Sequence, residues 1–178
     1  MPGPTDEHPD LSAVAGEMRA EWRAEQDAAA ADAAALRRHG LTLADWLRER
    51  MHAGDRVRVE VLARAFEGAV DEVGDDLVAL RTGSGRVEIH VCDAVPALFT
   101  VAQHARAGGT RSAARRTFRD ALVARDGQPD LLVGTVLVPE GIRGTPSVAR
   151  DFVAVAERDG RETVVALAHV AWVAVAPR

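Results

Sequence analysis

The sequence predicts an α+β protein: N-terminal helices followed by two repeated five-stranded small β-barrels joined by a helix. Three observations carry this. Apolar residues return at spacings of three and four up to residue 52, then at a spacing of two from residue 56. Glycine-bearing turns cut the later part into short runs. The pattern of residues 55–95 then recurs at an offset of 75 residues.

Residues 1–10, rich in proline and acid, are predicted to be disordered, and residues 11–53 form a helical N-terminal segment. Leu11, Val14, Met18, Trp22, Ala29, Ala33 and Leu36 fall on one helical stripe. The alanine-rich run 28–35 adds helix propensity, and Gly40 ends the helix. So long and thin a stripe suits packing against a partner, and Met18 and Trp22 are its candidate contact face. Thr42-Leu-Ala-Asp45 resembles a capping box and opens a second helix with Leu43, Trp46, Leu47 and Met51 on its apolar face.

Residues 54–102 form the first predicted barrel. Val57, Val59 and Val61 alternate with Arg56, Arg58 and Glu60. A second strand runs from Phe66 to Val73 with a bend at Gly68, and a third runs from Leu77 to Arg81. The turn Thr82-Gly-Ser-Gly85 leads to a fourth strand, in which Glu88 and His90 are expected to face solvent opposite Val87, Ile89 and Val91. A last strand lies near Val95 to Val101. Residues 103–128 are a linker and a basic helix, with the helix expected over 111–126 and Ala114, Phe118, Ala121 and Leu122 on its apolar face. Residues 129–178 form the second barrel. There Asp151-Phe-Val-Ala-Val155 repeats Asp76-Leu-Val-Ala-Leu80, Gly160-Arg161 repeats Gly85-Arg86, and Val170 repeats Val95. Ile142-x-Gly144 repeats Phe66-x-Gly68 with a slip of one residue.

The run Phe66-x-Gly-x-Val-x-x-Val-Gly-Asp75 followed by Leu-Val-Ala-Leu80 resembles the Sm-like family of small barrels. That resemblance implies a bent second strand and an RNA-binding loop, with Gly68 and Asp75 or Asp76 in the family's glycine and aspartate places. The Asn that usually follows the Asp is absent, and Cys92-Asp93-Ala94 stands where an Arg-Gly pair is expected. SH3-like barrels share the same strand rhythm. The whole layout also resembles a group of actinobacterial proteins with paired segments, some labelled Fis-type regulators. The close helix pair 11–38 and 42–52, however, has no basic second helix to enter a DNA groove.

Composition narrows the function classes. The chain has 178 residues, 47% of them apolar, and a net charge of −5, which does not suit a general nucleic-acid binder. Cys92 is the single cysteine, so an internal disulfide and a cysteine-built zinc site are both excluded. That cysteine usage and the acidic, proline-bearing N-terminus point to the cytoplasm, and no apolar run is long enough for a membrane helix. His90 and Cys92 share a strand face but lack a predictable third ligand, and a base for a Cys92 nucleophile cannot be placed. Asp71-Glu72 and Asp75-Asp76 read as solvated turn acids. Gly108-Gly-Thr-Arg-Ser112 lacks the ending of a phosphate-binding P-loop and reads as a linker. No catalytic residue, metal site or cofactor is therefore predicted.

The strongest candidate is a basic ridge, Arg111, Arg115, Arg116 and Arg119, in a segment of residues 101–128 that carries 6 Arg against 2 acids. It suits contact with phosphates or an acidic partner, or pairing with the chain's own acidic strands. Two functions follow as expectations. One is a non-enzymatic module for oligomerisation or protein interaction. The other is an Sm-like nucleic-acid-binding regulator acting through the ridge.

Overall fold

The computed structural model describes residues 11–106, 108–109 and 116–176. The chain divides into two compact units, Met1–Thr42 and Leu43–Arg178. The first contains helix α1, Leu11–Gly40, on which Met18, Trp22 and Leu36 are exposed.

The second unit opens with α2 (Leu43–Ala53) and continues through β1 (Arg56–Val61), β2 (Arg64–Val73), β3 (Leu77–Thr82), β4 (Gly85–His90) and β5 (Ala97–Gln103). A short helix α3 (Phe118–Val123) precedes β6 (Leu131–Thr135), β7 (Ile142–Val148), β8 (Phe152–Glu157), β9 (Glu162–Ala166) and β10 (Val170–Val175). The strand boundaries follow the period-two runs and turn glycines of the sequence. Gly85 and Gly160, which stand at the ends of the β3–β4 and β8–β9 hairpin turns, both adopt positive φ, at 124° and 86°.

The two barrels expected from the sequence are not there. The strands form one open ten-stranded antiparallel sheet in the order β5-β1-β2-β3-β4-β10-β6-β7-β8-β9. The join is β4 with β10, where Ile89 pairs with Trp172, Glu88 with Val173 and Val87 with Ala174. Unsatisfied backbone groups on the two strand edges find each other rather than closing each half on itself. The helix expected over 111–126 is also corrected. Helix α3 covers six residues, Thr117 caps it, and residues 111–115 lie outside the described part.

Within this sheet the strand order β10-β6-β7-β8-β9 repeats the order β5-β1-β2-β3-β4. Details recur as well. The Gly74 N–H donates to the Leu77 carbonyl at 2.8 Å, and the Ala149 N–H donates to the Phe152 carbonyl at 2.9 Å. Gly68 pairs with Thr82 and Gly144 with Glu157. Thr117 and Asp120 form a capping box on α3, accepting from the Asp120 N–H and the Thr117 N–H respectively, and Thr42 and Asp45 stand 75 residues earlier in sequence.

Helices α2 and α3 each feed one apolar core. Leu47 and Met51 of α2 pack with Val57, Val59, Val61, Leu80 and Ile89. Phe118, Ala121 and Leu122 of α3 pack with Leu131, Val133, Val153, Val155 and Val170. Strand β10 serves both cores, with Trp172 in the first and Val173 in the second. Burial contributes about 1.5–3 kcal/mol for each of the Val, Leu, Ile, Phe and Met side chains here, and the shared strand β10 links the halves mechanically.

Candidate functional site

The densest polar chemistry of the second unit lies where β2, β4 and the α3 segment meet. A β-bulge between Val70 and Glu72 sets Asp71 and Glu72 of β2 against β3 out of simple alternation. Both consecutive carboxylates therefore reach Arg86 of β4, Asp71 through one terminal nitrogen and Glu72 through the other. Glu88 accepts from Arg86 Nε at 3.1 Å and from Arg125 Nε at 3.2 Å. Arg81 binds Asp71, and Arg116 Nη1 donates to Glu72 at 3.3 Å.

The acids are not solvated turn residues. Glu72 and Glu88 are only 6% and 3% exposed, and Asp71 and Glu72 lie within a strand. Glu88 and His90 were expected to face water as well. The α3 segment covers that face: Phe118 stacks on His90 with ring centres 4.6 Å apart and planes 4° apart, and Arg125 reaches Glu88. Burial pulls the Arg86 guanidinium pKa down, but the hydrogen bonds and charges of Glu72, Glu88 and Asp71 raise it further. The guanidinium stays charged and serves the cluster as its fixed positive centre.

Docking of the α3 segment is close. Backbone at Arg116 lies against Gly74, where a Cβ would stand 1.9 Å from the Arg116 carbonyl oxygen. That carbonyl accepts from the Asp75 N–H at 3.2 Å, and Asp76 Oδ1 accepts from the Phe118 N–H at 2.6 Å. The backbone N–H of Asp75 and the carboxylate of Asp76 therefore hold a neighbouring segment in place.

The second cluster is His90, Cys92 and Asp76. Cys92 Sγ lies 3.6 Å from His90 Nδ1, and Asp76 Oδ2 lies 3.6 Å from His90 Nε2. The spacing resembles a nucleophile, base and orienting acid, but the tautomer opposes that use. His90 Nδ1 also lies 2.9 Å from the Val170 carbonyl oxygen, which can only accept. Nδ1 must then carry the proton, so it cannot take one from the thiol. Among the described residues no group of three His, Cys, Asp or Glu is placed to hold a metal ion.

A third site fixes the start of β1. The buried Asp55 accepts from the Ala105 N–H at 2.9 Å, lies 3.2 Å from His104 Nδ1 and pairs with Arg50 at 3.1 Å. The Ala105 N–H is the main reason that its carboxyl is held below the usual carboxylate range. Burial opposes this, and His104 and Arg50 reinforce it.

Of the predicted basic ridge, Arg111 and Arg115 lie outside the described residues. Arg116 is paired with Glu72, and Arg119 donates from Nε to the Arg150 carbonyl at 3.3 Å. Both are thus tied to the chain's own strands and loops. Met18 and Trp22 are both 66% exposed on α1.

Sequence reasoning missed the two ends of the sheet. Strands β5 and β9 each have one hydrogen-bonded neighbour among the described residues. The seven residues of β5, Ala97-Leu-Phe-Thr-Val-Ala-Gln103, include no charge and no proline, and β9 has only Glu162 at its start. Leu98 and Val164 are 60% and 59% exposed on these edges. The absence of edge-blocking residues was legible in the sequence, but which strands end the sheet was not. No helix among the described residues is long and apolar enough to cross a membrane. Compared with known proteins, the chain matches no family model, no curated protein and no solved structure.

Proposed function

We propose that this chain is a non-enzymatic module for oligomerisation or protein interaction. The observation that carries the reading is the pair of sheet edges, β5 and β9, which no further strand among the described residues covers, with Leu98 and Val164 exposed on them. Soluble proteins ordinarily protect long edges with charge, proline or a covering element, because unpaired N–H and C=O groups recruit other strands. The exposed Met18 and Trp22 on α1 offer a second apolar contact. The Glu72 carboxylate offsets the charge of Arg116, and bonding to the Arg150 carbonyl holds the Arg119 guanidinium against the chain, which counts against a phosphate-binding role for these two. The recurring strand order and the matched hydrogen bonds support reading the five-strand unit as an internal duplication. The free thiol of Cys92 suits a reducing, cytoplasmic setting.

Sedimentation velocity over a wide concentration range tests this. Concentration-dependent self-association, or a stable oligomer, supports the module. Fluorescence polarisation with single-stranded RNA and duplex DNA at rising salt tests the rival class. Tight binding that falls steeply with salt, from a chain that stays monomeric, would overturn the reading in favour of a nucleic-acid binder.

A further inference from the structure

We infer that the partner of the β5 edge is the β9 edge of a second copy, added antiparallel and head to tail. This rests on the assembly reading above and names its contact. The template is inside the chain. Strand β4 ends the run β5-β1-β2-β3-β4, β10 begins the run β10-β6-β7-β8-β9, and the two pair. Strand β9 holds the place of β4 in the second run, and β5 holds the place of β10 in the first. The two strand types that meet in the middle of the sheet are therefore the two that end it among the described residues.

The ladders give the register. Leu77 pairs with His90, and its counterpart Phe152 pairs with Ala166. Val87, Glu88 and Ile89 then correspond to Thr163, Val164 and Val165. Val57 pairs with Gly68, and Leu131 pairs with Gly144. Arg58 and Val59, which face Thr100 and Phe99, then correspond to Leu132 and Val133, which face Ala174 and Val173. Trp172 corresponds to Leu98 in the same ladder. Transferring the pairs Ile89 with Trp172, Glu88 with Val173 and Val87 with Ala174 sets Val165 opposite Leu98, Val164 opposite Phe99 and Thr163 opposite Thr100. This register covers Leu98 and Val164, the exposed large apolar residues of the two edges. Both edges also lack the charges that would oppose pairing along these three positions. Because the two surfaces differ, the contact is heterologous, and each added chain leaves one β5 and one β9 edge free for the next until the assembly closes.

The test uses the full-length chain and two variants, Leu98→Glu and Val164→Glu. Both positions are exposed, so at a concentration low enough for all three chains to be monomeric the thermal transition by circular dichroism should match that of the unmodified chain. Each variant alone should lose self-association by roughly tenfold or more in dissociation constant. Mixed together they should form a one-to-one dimer and stop, because one retains a working β9 edge and the other a working β5 edge. Self-association lost in only one variant would point to a symmetric contact and overturn the inference. Unchanged association in both would overturn it while leaving assembly through another surface, such as α1, standing. A chain that stays monomeric at every concentration would overturn the inference and the assembly reading together.

Discussion

Gly68 lies so close to Arg81 on the neighbouring strand that a Cβ on the glycine would stand 2.4 Å from the Arg81 carbonyl oxygen. Gly144 meets the Ala156 carbonyl in the same way, at 2.3 Å. Both strands can pass so near their partners only without a side chain. Gly68→Ala and Gly144→Ala should each destabilise the fold by about 1–3 kcal/mol, the usual cost of forcing atoms into a packed site. Gly83→Ala, with open space around its Cβ, is the matched control. Urea unfolding midpoints separate the three.

Arg86 gathers Asp71, Glu72 and Glu88 in a largely water-excluded place. Arg86→Met leaves three carboxylates short of their shared counter-ion, and the expected loss is about 3–5 kcal/mol. Arg161 pairs with Asp159 and Glu157 while 73% exposed, so Arg161→Ala should cost at most about 1 kcal/mol. Denaturant titrations of both variants check the contrast. Equal losses would mean that the Arg86 cluster is solvated in solution.

Asp55 links folding to pH. Its carboxyl is held below the usual range by the Ala105 N–H first, and its burial opposes the shift. A depressed folded-state pKa stabilises the fold above the unfolded carboxylate pKa of about 3.9, and that stabilisation is lost as the pH falls through the folded value. Asp55→Asn lacks this titration. The stability gap between the unmodified chain and the variant should be widest near neutral pH and narrow below about pH 4. A gap constant with pH would show that Asp55 acts only by shape.

Trp172 fixes the joint between the halves. Its ring meets Phe66 edge-on at 5.1 Å, Arg64 lies over it at 5.6 Å, and Gly134 leaves it room. Trp172→Ala should cost about 3–5 kcal/mol. Because β10 serves both cores, hydrogen exchange should speed up on β4 and β6 together. Acceleration confined to β6 and its half would mean that the two runs of strands unfold independently.

Local structure was largely legible in the sequence. The stripe through Met18 and Trp22 marked α1, the valines at 57, 59 and 61 marked β1, and Gly85 and Gly160 marked turns. These features depend on neighbours a few residues away, so spacing alone reveals them.

The faces of β4 were misread because a solvated polar face and a buried ionic face share one period. Glu88 and His90 have the same spacing whether water or Phe118 and Arg125 cover them. The convergence of Asp71 and Glu72 on Arg86 depends on a bulge that no spacing in the sequence announces. By itself, then, the sequence determined α1, α2, most strand boundaries and the turn glycines, while the helix expected over 111–126 is six residues long, Phe118–Val123. Only the tertiary structure decided that β4 pairs with β10, that the strands make one open sheet, and that β5 and β9 are its ends. The physical reason is that every edge strand carries the same backbone donors and acceptors, so partner choice is a long-range outcome of packing, of which β10 between two cores is the clearest case.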